Sequence, residues 1–203
     1  MSSFIGHSLA GATIFCCDRQ LGGDLSTKKR DRFLWLFWLI ILACTPDLDY
    51  IIPFFRPSNN QGIRITHSLA GSLILPLLTS LMLFFIIKNR ATLKKYSIQA
   101  FCAGLSHLLL DILVGVTVLP LLFPWSREVF KLSFGILPSA GKISLTNYYF
   151  YRNLYLELGV ILPLAIALIL WIWRKKSHKF LFLLPIFLLI SFHFMFVSFH
   201  LPR

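Results

Sequence analysis

Apolar residues gather along this chain into six blocks separated by polar stretches. Five of them are Phe33 to about Phe55, His67 to Ile87, about Ser97 to Phe123, about Leu154 to Trp173, and Phe180 to about Leu201. Each approaches or exceeds the roughly 20 residues that carry a helix across a bilayer. The first block, Phe4 to Cys17, is broken by Gly6, His7 and Gly11 and is short for a span, so it fits a tilted, re-entrant or half-buried helix. A helix satisfies its own backbone polar groups in lipid, so the pattern predicts an all-α, multi-pass transmembrane bundle of five to six helices. It forms one integral membrane domain over residues 1–203, with a first half at 1–125, an outer segment at 126–153 and a C-terminal hairpin of helices at 154–203.

The polar stretches set an orientation. Residues 18–32, 88–96 and 174–179 are densely basic, and they alternate with the sparser 56–66 and 126–153. That alternation is what the positive-inside rule requires, with the three basic loops cytoplasmic. Tyr148, Tyr149 and Tyr151, near the end of the outer segment, suit the membrane–water interface.

Composition agrees with this and narrows the partners. The chain is 57% hydrophobic and only 14% charged, against about 25% charged in soluble domains. The net charge of +12 lies in short runs between apolar blocks, without a basic helix face or aromatic interleaving. Membrane lipids with anionic head groups are therefore the expected neighbours, and nucleic acid is not an expected partner. Cys16, Cys17, Cys44 and Cys102 lie in apolar segments without metal-ligand spacing and read as small buried hydrophobes. The start, Met-Ser-Ser-Phe, has no basic n-region, so no removable signal peptide is expected.

Ionisable residues inside apolar blocks are costly and mark function when they occur. His107 and Asp111, four residues apart, fall on one helix face. His7, His67 and the pair Asp47 and Asp49, which follows Pro46, supply matching groups. Counting about 1.5 Å per residue from the cytoplasmic ends puts Asp47 and Asp49 about 20–25 Å deep, Asp111 about 20 Å and His107 about 15 Å. His67 and His7 stand at the outer ends of their segments, so all six lie between mid-membrane and the outer surface. Imidazole nitrogens with carboxylate oxygens suit a divalent metal, zinc first, as one or two ions. Asp111 could bridge two ions, an arrangement suited to hydrolysis of phosphoesters. The carboxylate of Asp47 or Asp49 not used as a ligand, or Glu157, would then be the general base.

Each residue also has a purely structural reading. His7 or His67 alone fits a capping or interface role, and Pro46-Asp47-Leu48-Asp49 fits a helix-ending turn. His107 with Asp111 fits a hydrogen-bonded pair or a proton relay. His193 and His200 read as packing residues, and Arg64 and Arg127 as snorkelling cations or phosphate grips. His7-Ser8-Leu9-Ala10-Gly11 recurs as His67-Ser68-Leu69-Ala70-Gly71, an echo too short to establish a duplication. Jointly, at matching depth, the polar residues favour a metal site. The competing function is a non-hydrolytic transporter or scaffold using the same cluster for a cation or protons. The metal reading requires His67 and Asp111 to lie within about 10 Å of each other.

The ordered set His7, Pro46-Asp47-Leu48-Asp49, Arg64-Ile65-Thr66-His67-Ser68 and Ser106-His107-Leu108-Leu109-Leu110-Asp111 resembles the YdjM-type family. These are bacterial inner-membrane proteins described as metal-dependent hydrolases, some under the LexA damage-response regulator. The motifs cover roughly the first 125 residues, and the remainder is similar by hydropathy. The same order also resembles zinc-dependent phospholipase C and the P1-type nucleases. That resemblance implies one metal on Asp47 or Asp49, His67, His107 and Asp111, and a second shared by His7 and Asp111. Those enzymes add a His-x-x-x-Glu pair, whereas here Asn153 stands four residues before Glu157.

Overall fold

Six α-helices make up most of the regular structure among the described residues: α1 (Phe4–Cys16), α2 (Lys29–Cys44), α3 (Leu69–Ile86), α4 (Arg90–Val114), α5 (Tyr148–Trp173) and α6 (Leu183–Phe199). This computed structural model describes residues 2–18, 29–55, 58, 62–115, 118–139, 146–174 and 180–201. Much of the basic stretches 18–32 and 174–179 lies outside the described residues. Four helices are long and apolar enough to cross a membrane: α2 with its continuation to Tyr50, α3, α4 and α5. α1 and α6 are shorter apolar helices.

Local chemistry explains where the helices depart from the hydropathy blocks. Pro46 has no backbone N–H to donate, and α2 gives way at Cys44 to a 3-10 helix, Thr45–Tyr50. The fourth block was expected to run to Phe123, but α4 stops at Val114, where Gly115 takes the left-handed conformation with φ +67°. The apolar residues beyond it double back, and Leu119 pairs with Phe130 in an isolated antiparallel bridge. At α5 the difference runs the other way. Asn147 accepts from Tyr149 N at 3.1 Å and caps the helix, so α5 starts at Tyr148, ahead of the apolar block.

The helices pack as three hairpins, α1 on α2, α3 on α4 and α5 on α6, with α1 also against α4 and α5, and α2 against α4. Glycine allows the closest approaches. A Cβ at Gly11 would stand 2.8 Å from the Leu39 carbonyl oxygen on α2, and one at Gly104 would stand 2.7 Å from that of Ser72 on α3. Leu39, Leu42, Ala43, Ala100 and Ala103 fill the space between α2 and α4 and are fully buried. Trp35 donates to Gln99 at 2.8 Å and Trp38 to Thr79 at 3.2 Å, tying α2 to α4 and α3.

The hairpins bring the start of α1, the end of α2, the start of α3, the end of α4 and the start of α5 to one end of the bundle. Lys29, Arg30, Arg32, Lys88, Arg90, Lys94, Lys95 and Arg174 sit at the opposite helix ends. The five-residue echo takes two different structures. Residues 7–11 lie within α1, whereas His67 precedes α3 and Ser68 caps that helix, accepting from Gly71 N at 2.9 Å.

Candidate metal centre

Each polar side chain reaches the centre by a different route. His7 projects from the second turn of α1, and His107 and Asp111 from successive turns near the end of α4. Asp47 and Asp49 come from the 3-10 helix after α2, and His67 from the short 3-10 helix Ile65–His67 that leads into α3. His7, His67, His107 and Asp111 are 0% exposed and Asp49 1%. Among these six, Asp47 is the most open, its side chain 18% exposed.

The reactive atoms crowd a small volume. His67 Nε2 lies 3.2 Å from His107 Nε2, 3.5 Å from Asp47 Oδ1 and 3.4 Å from Asp111 Oδ2. His107 Nε2 is 3.8 Å from Asp47 Oδ1 and 3.6 Å from Asp111 Oδ2. His7 stacks on His107 with ring centroids 3.7 Å apart, and its Nε2 is 3.7 Å from Asp111 Oδ1 and 3.8 Å from Asp47 Oδ2. The separation of His67 from Asp111 is well inside the 10 Å or so that ligands of neighbouring ions need.

These contacts leave an unbalanced set of acceptors. The ring Nδ1 of His107 stands 2.8 Å from the Ala43 carbonyl oxygen, which can only accept. In the neutral ring Nδ1 therefore carries the hydrogen and Nε2 presents its lone pair. Asp47 Oδ1, Asp111 Oδ2 and both ring nitrogens of His7 are buried without a hydrogen-bond partner. Buried polar atoms seldom go unpaired, and unpaired buried carboxylates are costlier still.

A divalent cation fits this set. Asp47, His67 and His107 offer atoms 3.2, 3.5 and 3.8 Å apart, close to the ~3.3–3.5 Å between ligands that stand about 2.0–2.1 Å from a tetrahedral zinc ion. A second trio, His7, His107 and Asp111, also brings its ligand atoms within 4.8 Å of one another. His107 belongs to both and has one nitrogen to give. The trios are thus two ways to hold one ion, or two neighbouring ions with His107 on one of them.

Two carboxylates have other partners. Asp49 accepts from Arg64 Nε and from its terminal nitrogen, both at 2.7 Å, while its Oδ2 stands 3.6 Å behind His67 Nδ1. Burial alone would lower the pKa of Arg64, but the hydrogen bonds to Asp49 raise it above its ordinary value. The guanidinium also covers the Tyr50 ring, 4.9 Å from its centroid. Glu157, fully buried on α5, accepts from Ser3 N at 2.9 and 3.2 Å and from the Ser2 hydroxyl. Ser2 N in turn donates to Asp111 Oδ1 at 2.9 Å. Ser2, Ser3 and the Ala43 carbonyl are parts of the centre that carry no sequence signal, being two ordinary serines and a backbone oxygen. His193 lies on α6 and His200 is its C-cap, and neither belongs to either trio; His200 Nδ1 meets the Phe196 carbonyl at 2.8 Å.

No curated protein and no solved structure matches the chain, so the likeness to zinc-dependent phospholipase C and the P1-type nucleases rests on the motif order alone. The model of the YdjM inner membrane protein family matches residues 1–200. With nearly the whole length covered, and with helices built to cross a membrane, the chain belongs to the YdjM inner membrane protein family.

Proposed function

We propose that this protein is a membrane-embedded, metal-dependent hydrolase acting on a phosphoester, in a lipid or a lipid-linked head group. One observation carries the reading. Four buried side chains, His7, His67, His107 and Asp111, and the partly exposed Asp47 aim their reactive atoms at one small volume, where His7 Nε2, Asp47 Oδ1 and Asp111 Oδ2 are unpaired. Asp47, His67 and His107 would hold one ion; His7 and Asp111 would complete its shell or hold a second. Bound there, a divalent ion lowers the pKa of a water molecule and withdraws charge from the phosphoryl oxygens.

The chain's own groups prepare that site. The Ala43 carbonyl holds the His107 ring in the orientation that presents Nε2, and the Thr66 hydroxyl, 3.0 Å from His67 Nδ1, holds the His67 ring, with the Asp49 carboxylate 3.6 Å behind it. Substrate approaches past Asp47, the most open member. Arg64, with one nitrogen 3.9 Å from Asp47 Oδ1, lends positive charge on that path to an anionic oxygen. Exposed Tyr50, Ile51 and Phe54 flank it, as side chains at a lipid–water boundary do. The end carrying the centre lies opposite Lys29, Arg30, Arg32, Lys88, Arg90, Lys94, Lys95 and Arg174, and by the positive-inside rule that supports a site on the outer side of the inner membrane. Beneath it, the fully buried Leu39, Leu42, Ala43, Ala100 and Ala103 form an apolar plug. That plug favours a one-sided hydrolytic site over a transport path through the bundle.

The test is to purify the protein in detergent, measure bound metal by elemental analysis, and assay hydrolysis of bis(p-nitrophenyl) phosphate and of mixed phospholipid vesicles. Stoichiometric zinc or a similar ion, and turnover that stops with chelator, is the expected result. Loss of both in His107→Ala, Asp111→Ala should follow. Unchanged metal content in that variant would overturn the reading.

A further inference from the structure

Glu157 belongs to neither trio of ligand atoms, yet it is among the most completely buried side chains of the molecule. Its hydrogen bonds run to the strap formed by Ser2 and Ser3, at Ser3 N and the Ser2 hydroxyl. The strap then branches toward two of the metal-facing side chains. Ser2 N donates to Asp111 Oδ1 at 2.9 Å, which leaves Oδ2 as the oxygen turned to His67 and His107. The Ser3 hydroxyl accepts from Gly6 N at 2.9 Å and caps α1, and the Ser3 carbonyl accepts from His7 N at 3.1 Å. Gly6 lies directly against the Glu157 carboxylate, where any Cβ would collide with it.

We propose that Glu157 is a positioning residue. It docks residues 2–3 against α5, and through that strap decides which oxygen Asp111 presents and where the first turn of α1 places His7. The role rests on the metal-centre reading for its consequence, but the docking itself does not. Without the carboxylate, two donors of the strap, Ser3 N and the Ser2 hydroxyl, lose their acceptor in a buried site, and the strap leaves its place. Partners of this kind typically change metal affinity by about 10–100-fold when removed.

The experiment uses the full chain in detergent, with Glu157→Ala and the shape-conserving Glu157→Gln. Amide hydrogen exchange over residues 2–8 reads docking, and competition with a chelator reads zinc affinity. Glu157→Ala should abolish protection of those amides and weaken zinc by about 10–100-fold, and Glu157→Gln, which keeps one acceptor oxygen, should recover part of both. Combined with His7→Ala, the losses should be strongly non-additive; combined with Arg64→Ala, on the far side of the centre, they should add. Unchanged protection of residues 2–8 would overturn the proposal whatever the metal result, as would full additivity with His7→Ala. Should the unaltered chain take up no zinc while Glu157→Ala still frees the strap, the hydrolase reading falls and the docking role stands. If Glu157→Ala fails to fold, Glu157→Gln decides by the same two readouts.

Discussion

The Nε2 atoms of His67 and His107, forty residues apart in the chain, face each other at 3.2 Å. His107 presents a lone pair there because its other nitrogen meets the Ala43 carbonyl. Asp47 Oδ1 and Asp111 Oδ2 stand within 3.8 Å of both. Three acceptor atoms, His107 Nε2, Asp47 Oδ1 and Asp111 Oδ2, thus surround His67 Nε2, and they repel one another unless a hydrogen on that nitrogen or a cation sits among them.

His107 contributes to both candidate trios, whereas His7 contributes to one. His107→Ala should therefore abolish metal retention, while His7→Ala should remove one ion of two or weaken a single ion. Elemental analysis of metal per chain separates these outcomes. Added zinc should raise the thermal midpoint of the parent protein and leave that of His107→Ala unmoved. Equal metal content in the two variants would contradict the shared role of His107.

Asp49 and Arg64 support the centre from behind. Asp49→Asn should weaken zinc by about 10–100-fold without eliminating it. Arg64→Lys should act similarly on orientation, because a single ammonium cannot reproduce the two parallel bonds to Asp49. Chelator competition gives both numbers, and an effect as severe as that of His107→Ala would move Asp49 into direct ligation.

Gly104 lets α4 rest on α3 one turn before His107, and a Cβ there would meet the Ser72 carbonyl at 2.7 Å. Gly104→Ala should cost about 1–3 kcal/mol through overpacking and also lower zinc affinity by shifting His107. Thermal unfolding in detergent and chelator titration should move together.

Leu42 tests the opposite case. It is fully buried in the plug beneath the centre and belongs to neither trio. Leu42→Ala should destabilise the fold by about 2–5 kcal/mol, yet bind zinc to the parent stoichiometry at low temperature. Metal loss at full folding would show that the plug shapes the centre as well as sealing it.

Sidedness can be checked in whole cells with the native cysteines replaced. A cysteine at Phe54 or Trp125, both exposed, should react with an impermeant maleimide from outside. A cysteine at Lys88 should react only after the membrane is opened. The reverse pattern would place the centre on the cytoplasmic side.

Hydropathy carries the helices because bilayer burial is a property of long uninterrupted runs, and single residues hardly disturb it. The helix ends are less legible. α4 stops at Gly115 although apolar residues continue, and α5 begins among tyrosines that hydropathy undervalues. Short-range chemistry decides both, through a left-handed glycine and an asparagine cap. The two copies of His-Ser-Leu-Ala-Gly make the same point, since one lies inside a helix and the other starts one.

By itself, then, the sequence determined an all-helical membrane protein and named the ionisable residues that lipid would not tolerate alone. Spacing within one helix joined His107 to Asp111, since four residues make about one turn. The tertiary structure alone decided that Asp47 turns inward while Asp49 binds Arg64, and that Glu157 holds the Ser2–Ser3 strap. Those choices depend on contacts between segments up to 155 residues apart. Local patterns carry no record of such contacts, because the partner of a buried carboxylate is set by which helices meet and at what depth.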